Sequence, residues 1–260
     1  MSKGPLIHAR LRKVVATVGA VVLAVASSSS AGAVSPAPVG GGPAGQGPCA
    51  AQAAAARSHS TVAALRAFGD CEIGRREKTL ASLAAVVEGS NGLTASDRLA
   101  LESEIGASES GLAGIQTTID GQTSIPALRL AIVQIASKYR LYVLVAPQVY
   151  LVNAADDVLA MRPALAQMAG ALAGRIAATE AAGRDVGAAR VSLATMNAEI
   201  AAAMALASPL PARLLPLTAA DWNAGRAGPA LAAARVALAS SRDHLRNAVK
   251  AGRATIVALR

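Results

Sequence analysis

Two groups of side chains in this 260-residue chain have the type and spacing to do chemistry. The first is Tyr139, Arg140, Tyr142, Pro147 and Tyr150, which gathers every tyrosine of the protein around one arginine and one helix-breaking proline. Phenol hydroxyls beside a guanidinium can line a pocket for a small ligand. The same tyrosines can equally serve a helical core, each hydroxyl finding a carbonyl or water at the edge. The second group is Arg235, Arg242, Arg246, Lys250, Arg253 and Arg260. At about 100° per residue all six fall within roughly 80° of arc on one helix, a cationic stripe suited to an anionic partner.

The usual parts of an active site are missing. Past residue 33 the only histidines are His59 and His244, with no motif partner, and no HExxH, GxSxG or SxxK occurs. Glu102, Glu104, Glu109, Asp156 and Asp157 lack the loop spacing of a calcium site and read as solvated helix faces. Cys49, His59 and Cys71 have none of the usual zinc spacings. We therefore expect a protein that is not an enzyme and that uses no cofactor and no metal.

Alanine supplies 65 residues, against one Phe, one Trp and three Tyr, so small, helix-favouring side chains replace a core of large ones. The expected fold class is all-α: an antiparallel bundle of long Ala-rich helices with coiled-coil-like packing. A signal peptide over 1–33 and a disordered Gly/Pro linker over 34–48 are expected to precede it. Lys3, Arg10, Arg12 and Lys13 form the basic region of that leader. Val14 to Ala26 is its apolar run, too short for a permanent span, and Ala31-Gly32-Ala33 is the cleavage site. The chain is thus expected to be exported, extracellular or envelope-associated, and cleaved after Ala33. Residues 49–260 then form the helical domain, with a potential sub-boundary at 208–228.

Within it, 52–87 reads as one helix, and Thr94 to Asp97 resembles a capping box that starts the next. Residues 125–152 carry two apolar stripes: Ile132, Ile135, Tyr139, Tyr142 and Val149, and beside them Leu130, Val133, Leu141, Leu144 and Leu151. Two stripes predict a central helix covered on two sides, kinked or broken at Pro147, with a buried strand as the runner-up. Helices follow with Pro163 as a kink or boundary and Gly183 as a stop. SPLPARLLP reads as a loop, and Thr218 to Asp221 as a second capping box. Leu231, Leu238, Leu245 and Leu259 keep a seven-residue register on the last helix. Gly252 leaves a gap in that seam, so its last two turns fray unless a neighbour packs closely there.

Export and an even cysteine count favour a Cys49–Cys71 disulfide over two free thiols. One unbroken helix would hold these residues roughly 33 Å apart, whereas a bridge needs Cα atoms within about 7 Å. It closes only if Cys49 lies in coil and folds back, or if the helix breaks near Gly69.

The segment Tyr139 to Gln148, together with Leu217 to Asn223, resembles a family of exported, Ala-rich helical proteins of actinobacteria that carry a Tyr-Arg-x-Tyr-x-Leu-x-x-Pro segment. The resemblance runs loosely from Cys71 to the C-terminus. It implies a helical bundle and export, and it implies no activity, ligand or catalytic residue.

Charge points to the partner. The net charge is +9, and loss of the four leader cations reduces it. Residues 201–260 hold eight basic and two acidic groups, so the positive excess is C-terminal. The expectation is a structural or interaction role at the cell envelope, the basic helix contacting anionic wall polymer or membrane surface. Nucleic acid is not expected, since aromatics for base stacking are absent. A homo-oligomer through helix packing is open. The alternative functions are a soluble binder of a small ligand at the tyrosine–proline segment and, third, an extracellular hydrolase without recognisable motifs.

Overall fold

The computed structural model describes residues 47–260; the signal peptide expected over 1–33 and most of the linker expected over 34–48 lie outside them. Helix takes 84% of the described residues and no strand occurs among them, so the runner-up strand at 125–152 is excluded. The chain divides into two compact units, a larger one of 47–156 with 210–235 and a smaller one of 157–209 with 236–260.

In the larger unit, α1 (Ala50–Ser58) and α2 (Val62–Gly89) replace the single helix expected over 52–87. The break falls at His59 to Thr61, not at Gly69. Ser58 and Ser60 turn their hydroxyls back to the carbonyls of Ala54 and Ala56, and Thr61 caps the new helix by accepting from the Ala64 N–H. The reversal brings Cys49, at the start of α1, against Cys71, and their disulfide is closed with Cα atoms 5.8 Å apart.

Helices α2 and α3 (Ala95–Gly121) form an antiparallel hairpin fastened at both ends by arginine. Arg66, near the start of α2, donates to the carbonyls of Ile119 and Gln122 at the end of α3 (3.2 and 2.7 Å). Arg98, in the first turn of α3, donates to the carbonyls of Val87, Glu88 and Ser90 at the end of α2. Each C-terminus thus receives a cation where its orphan carbonyls and dipole favour one. Between them Leu80, Leu83, Leu101, Leu112 and Ile119 are fully buried. The expected capping box of α3 is only half made. Thr94 accepts from the Asp97 N–H, but the Thr94 N–H goes to Asp156 instead (3.0 Å).

Helix α4 (Ile125–Ser137) ends well before Pro147. Arg140 adopts a left-handed backbone (φ 43°), and a single π-helical turn (Leu141–Val145) leads into α5 (Ala146–Ala160). Pro147 is the second residue of α5 but follows the π-turn without interruption, so its missing N–H falls at the junction of the two inside a continuous helical path. The second stripe consequently splits. Leu141, Leu144 and Leu151 are buried, while Leu130 and Val133 are 67% and 62% exposed, so α4 is covered on one side only. The SPLPARLLP segment is not all loop either. Leu210–Leu214 forms the short α8, with Pro211 at its second position.

The smaller unit contains α6 (Arg162–Ala181), with Pro163 marking its boundary, and α7 (Gly187–Ala207). It also holds most of the final helix, α10 (Ala227–Ala258). Leu165, Met168, Leu172, Met196, Met204 and Leu245 interleave with the small Ala203, Ala207, Ala248 and Ala251. Gly252 is buried where a Cβ would stand 3.1 Å from Met196 Sδ. That close neighbour fills the gap in the leucine seam, and the helix continues through its last turns to Ala258.

Candidate functional site

Every cation of the predicted stripe is exposed on α10 or at its end. Arg235 is the last residue of the larger unit, and Arg242, Arg246, Lys250, Arg253 and Arg260 belong to the smaller. There, Leu238, Leu245, Ala248 and Leu259 turn to the core and the basic side chains turn to solvent. Acidic neighbours are few. Arg246 pairs with Asp243 one turn back. Partial burial raises the pKa of Asp157 while the nearby Arg242 opposes the rise. Glu199 is taken by His244 Nδ1 at 2.6 Å. The side chains of Lys250, Arg253 and Arg260 make no ion pair or hydrogen bond among the described residues. Such a face offers charge density, so it can hold a flexible polyanion in a salt-dependent way.

The tyrosine–proline group sits in the larger unit, and its members reach different elements. Tyr139 packs its ring on α3 at Gly111, where a Cβ would overlap it. Arg140 donates to Asn223 Oδ1 (2.7 Å) on the short α9 (Ala219–Asn223), and the Asn223 amide donates to the Ser137 carbonyl (3.2 Å). Gln148, 2% exposed, donates from one nitrogen to the carbonyls of Leu214 and Leu217. The segments 139–148 and 217–223 are thus bonded to each other. Tyr150 is half-buried on α5.

Tyr142 meets a polar cluster on α2. Arg75 and Arg76 of α2 lie 4.6 and 5.4 Å from its ring centroid, within cation–π range. Glu72 accepts from both guanidiniums, from Arg75 at 2.8 Å. Burial pushes the Glu72 carboxyl up, but the hydrogen bonds from Arg76 and Arg75 outweigh it and hold the group below its ordinary value. Two cations and one carboxylate leave a positive excess. The Tyr142 hydroxyl and Arg75 Nε are buried without a hydrogen-bond partner among the described residues. Both can donate, so what the cluster could take is an acceptor.

Sequence reasoning missed Arg66, Arg75, Arg76 and Arg98, which sit among acids on helical faces and look like ordinary surface cations. For Arg66 and Arg98 the sequence signal is position, each standing near the start of a helix whose partner ends beside it; for Arg75 and Arg76 it is spacing, three and four residues after Glu72 on one helix. Among the described residues no three His, Cys, Asp or Glu side chains are placed to hold a metal ion. Compared with known protein families, with curated proteins and with solved structures, the chain matches none.

Proposed function

We propose that this is an exported, non-enzymatic helical protein of the cell envelope that contacts an anionic polymer through the C-terminal half of α10. The observation that carries the reading is the exposed face of Arg242, Arg246, Lys250, Arg253 and Arg260, with Asp243 as the only acidic residue in 236–260. A polymer of repeated phosphate or carboxylate groups needs only charge density. A lipid surface would favour Trp or Phe on the adjoining apolar face, and α10 has neither. The basic, apolar and small-residue order of 1–33 and the likeness of 139–147 to exported actinobacterial proteins support export.

Fractionation of the producing cell tests it. The chain should stay with the envelope in low salt, leave in high salt, and lose retention when Lys250, Arg253 and Arg260 become glutamine. Protein found free in the medium at low salt contradicts the proposal.

The unpartnered donors at Tyr142 and Arg75 support a second reading, a binder of a small anionic ligand. Stabilisation by a carboxylate or phosphate compound, lost in Tyr142→Phe with helicity intact, would favour it over the first.

A further inference from the structure

We infer that the open groove between α6 and α7 docks the same groove of a second copy of this chain, antiparallel, about a two-fold axis passing near Asn197. On the other side of this pair, α10 covers Met168, Leu172 and Met196. The groove itself is two open depressions of about 380 and 430 Å³ that share Asn197, room for the side chains of an opposing helix. Between its charged ends the walls are mainly apolar: Ile176, Leu193, Ile200 and Met204 with exposed alanines between them. Nearby on α7, Val191 is 68% exposed. The most apolar stretch within 187–214 is only 22% buried.

Three features choose a second copy as the occupant. Asn197 is the polar side chain common to both depressions. Its amide donates and accepts, so two copies meeting at an axis can satisfy each other, as a lone asparagine does in setting helix register. Hydrocarbon would leave it unpaired.

Charge supplies the second feature. Arg162 and Glu180 stand at the two ends of α6, eighteen residues apart, five full turns, and so on one side of the helix. Their midpoint, Ala171, is level with Asn197, because a Cβ at Gly252 would lie within 4 Å of both Leu172 and Met196. A two-fold axis there sets Glu180 of each copy beside Arg162 of the other. Arg190 holds Glu180 by Oε2 at 2.5 Å, which leaves the second carboxylate oxygen for the opposing arginine.

Area is the third. The 21 residues of α7 extend about 31 Å, and two helices side by side span about 18 Å. Two such faces bury on the order of 1,100 Å², just past the roughly 1,000 Å² of a specific interface.

The purified full chain tests this by light scattering and crosslinking. A dimer is expected, dissociating on dilution and reduced to monomer by Ala201→Glu. Asn197→Cys should oxidise to a covalent dimer, while Ala178→Cys, exposed on α6 away from the groove, should not. A monomer at every concentration overturns the inference, as does a dimer that Ala201→Glu leaves intact or an Asn197→Cys chain that stays uncrosslinked. Uptake by neutral phosphatidylcholine vesicles, abolished by Ala201→Glu in place of any dimer, would assign the groove to lipid and also overturn it.

Discussion

Arginine serves opposite purposes in the two units. In the larger unit Arg66 and Arg98 finish each other's helix ends, Arg75 and Arg76 share Glu72 over the Tyr142 ring, and Arg140 and Arg226 hold α9 through Asn223 and Asp221. In the smaller unit the core is leucine, methionine and alanine, and α10 turns Lys250, Arg253 and Arg260 outward without partners among the described residues. A cation whose hydrogen bonds are all internal is part of the fold. One that makes none is available to something else. Net charge alone is therefore a poor guide to a binding face, and the count of unused cations is a better one.

The sharpest way to break this comparison is at Arg76, only 6% exposed. Arg76→Met would leave half-buried Glu72 with one cation in place of two, and should lower the stability of the larger unit by about 3 kcal/mol in urea unfolding. A loss near zero would mean that Arg75 alone suffices. Reduction of the disulfide, or Cys71→Ser, should follow closely. Helix α1 has nine residues and buries only Ala56, too little to hold by itself. Loss of the bridge should cost about 3 kcal/mol and melt that helix, seen as fast amide exchange over 50–58. Arg98→Ala should be milder, about 2 kcal/mol, because the carbonyls it serves end a helix that water can reach. Faster exchange should then be confined to the last turn of α2.

The smallest effect should be a pH response at α9. The Thr218 hydroxyl and N–H, with Arg226, hold the Asp221 carboxyl down at about 2 against an ordinary 3.8. A lowered pKa means the contribution is complete above the ordinary value and is lost as pH falls through the folded one. Trp222, the next residue and the only tryptophan, should keep constant fluorescence from neutral pH down to about 4 and change as pH falls toward 2. A change centred near neutral pH would contradict the assignment.

Much of the architecture was legible where spacing is repetitive. Leu101, Ile105, Leu112, Ile115 and Ile119 repeat along α3 and are all buried, as are Leu165, Met168, Leu172 and Ile176 along α6. The boundaries were less legible, because they depend on tertiary partners. Pro147 is a strong local breaker, yet the chain breaks at Arg140, where Asn223 from a distant segment holds the arginine. The split at His59 to Thr61 reflects serine and threonine hydroxyls competing for backbone groups, a signal present in Ser58-His59-Ser60-Thr61 but easily outweighed by the surrounding alanines. The cationic stripe was readable from helical periodicity alone. Which of its members are unpaired required the acids of other elements. Glu72, Arg75 and Arg76 pair within one helix at three- and four-residue spacing, but their placement over the Tyr142 ring required a distant segment.

The most direct measurement is the salt dependence of binding to a polyanion such as long-chain polyphosphate, for the unaltered chain and for the chain with Lys250, Arg253 and Arg260 changed to glutamine. Binding of the unaltered chain should weaken steadily with salt. In the altered chain the logarithmic slope should be shallower by about 2, as expected for three released contacts. Thermal unfolding should be nearly unchanged, since none of the three side chains has a partner to lose. Equal slopes for the two chains, or no binding at low salt, would contradict a polyanion-binding face on α10.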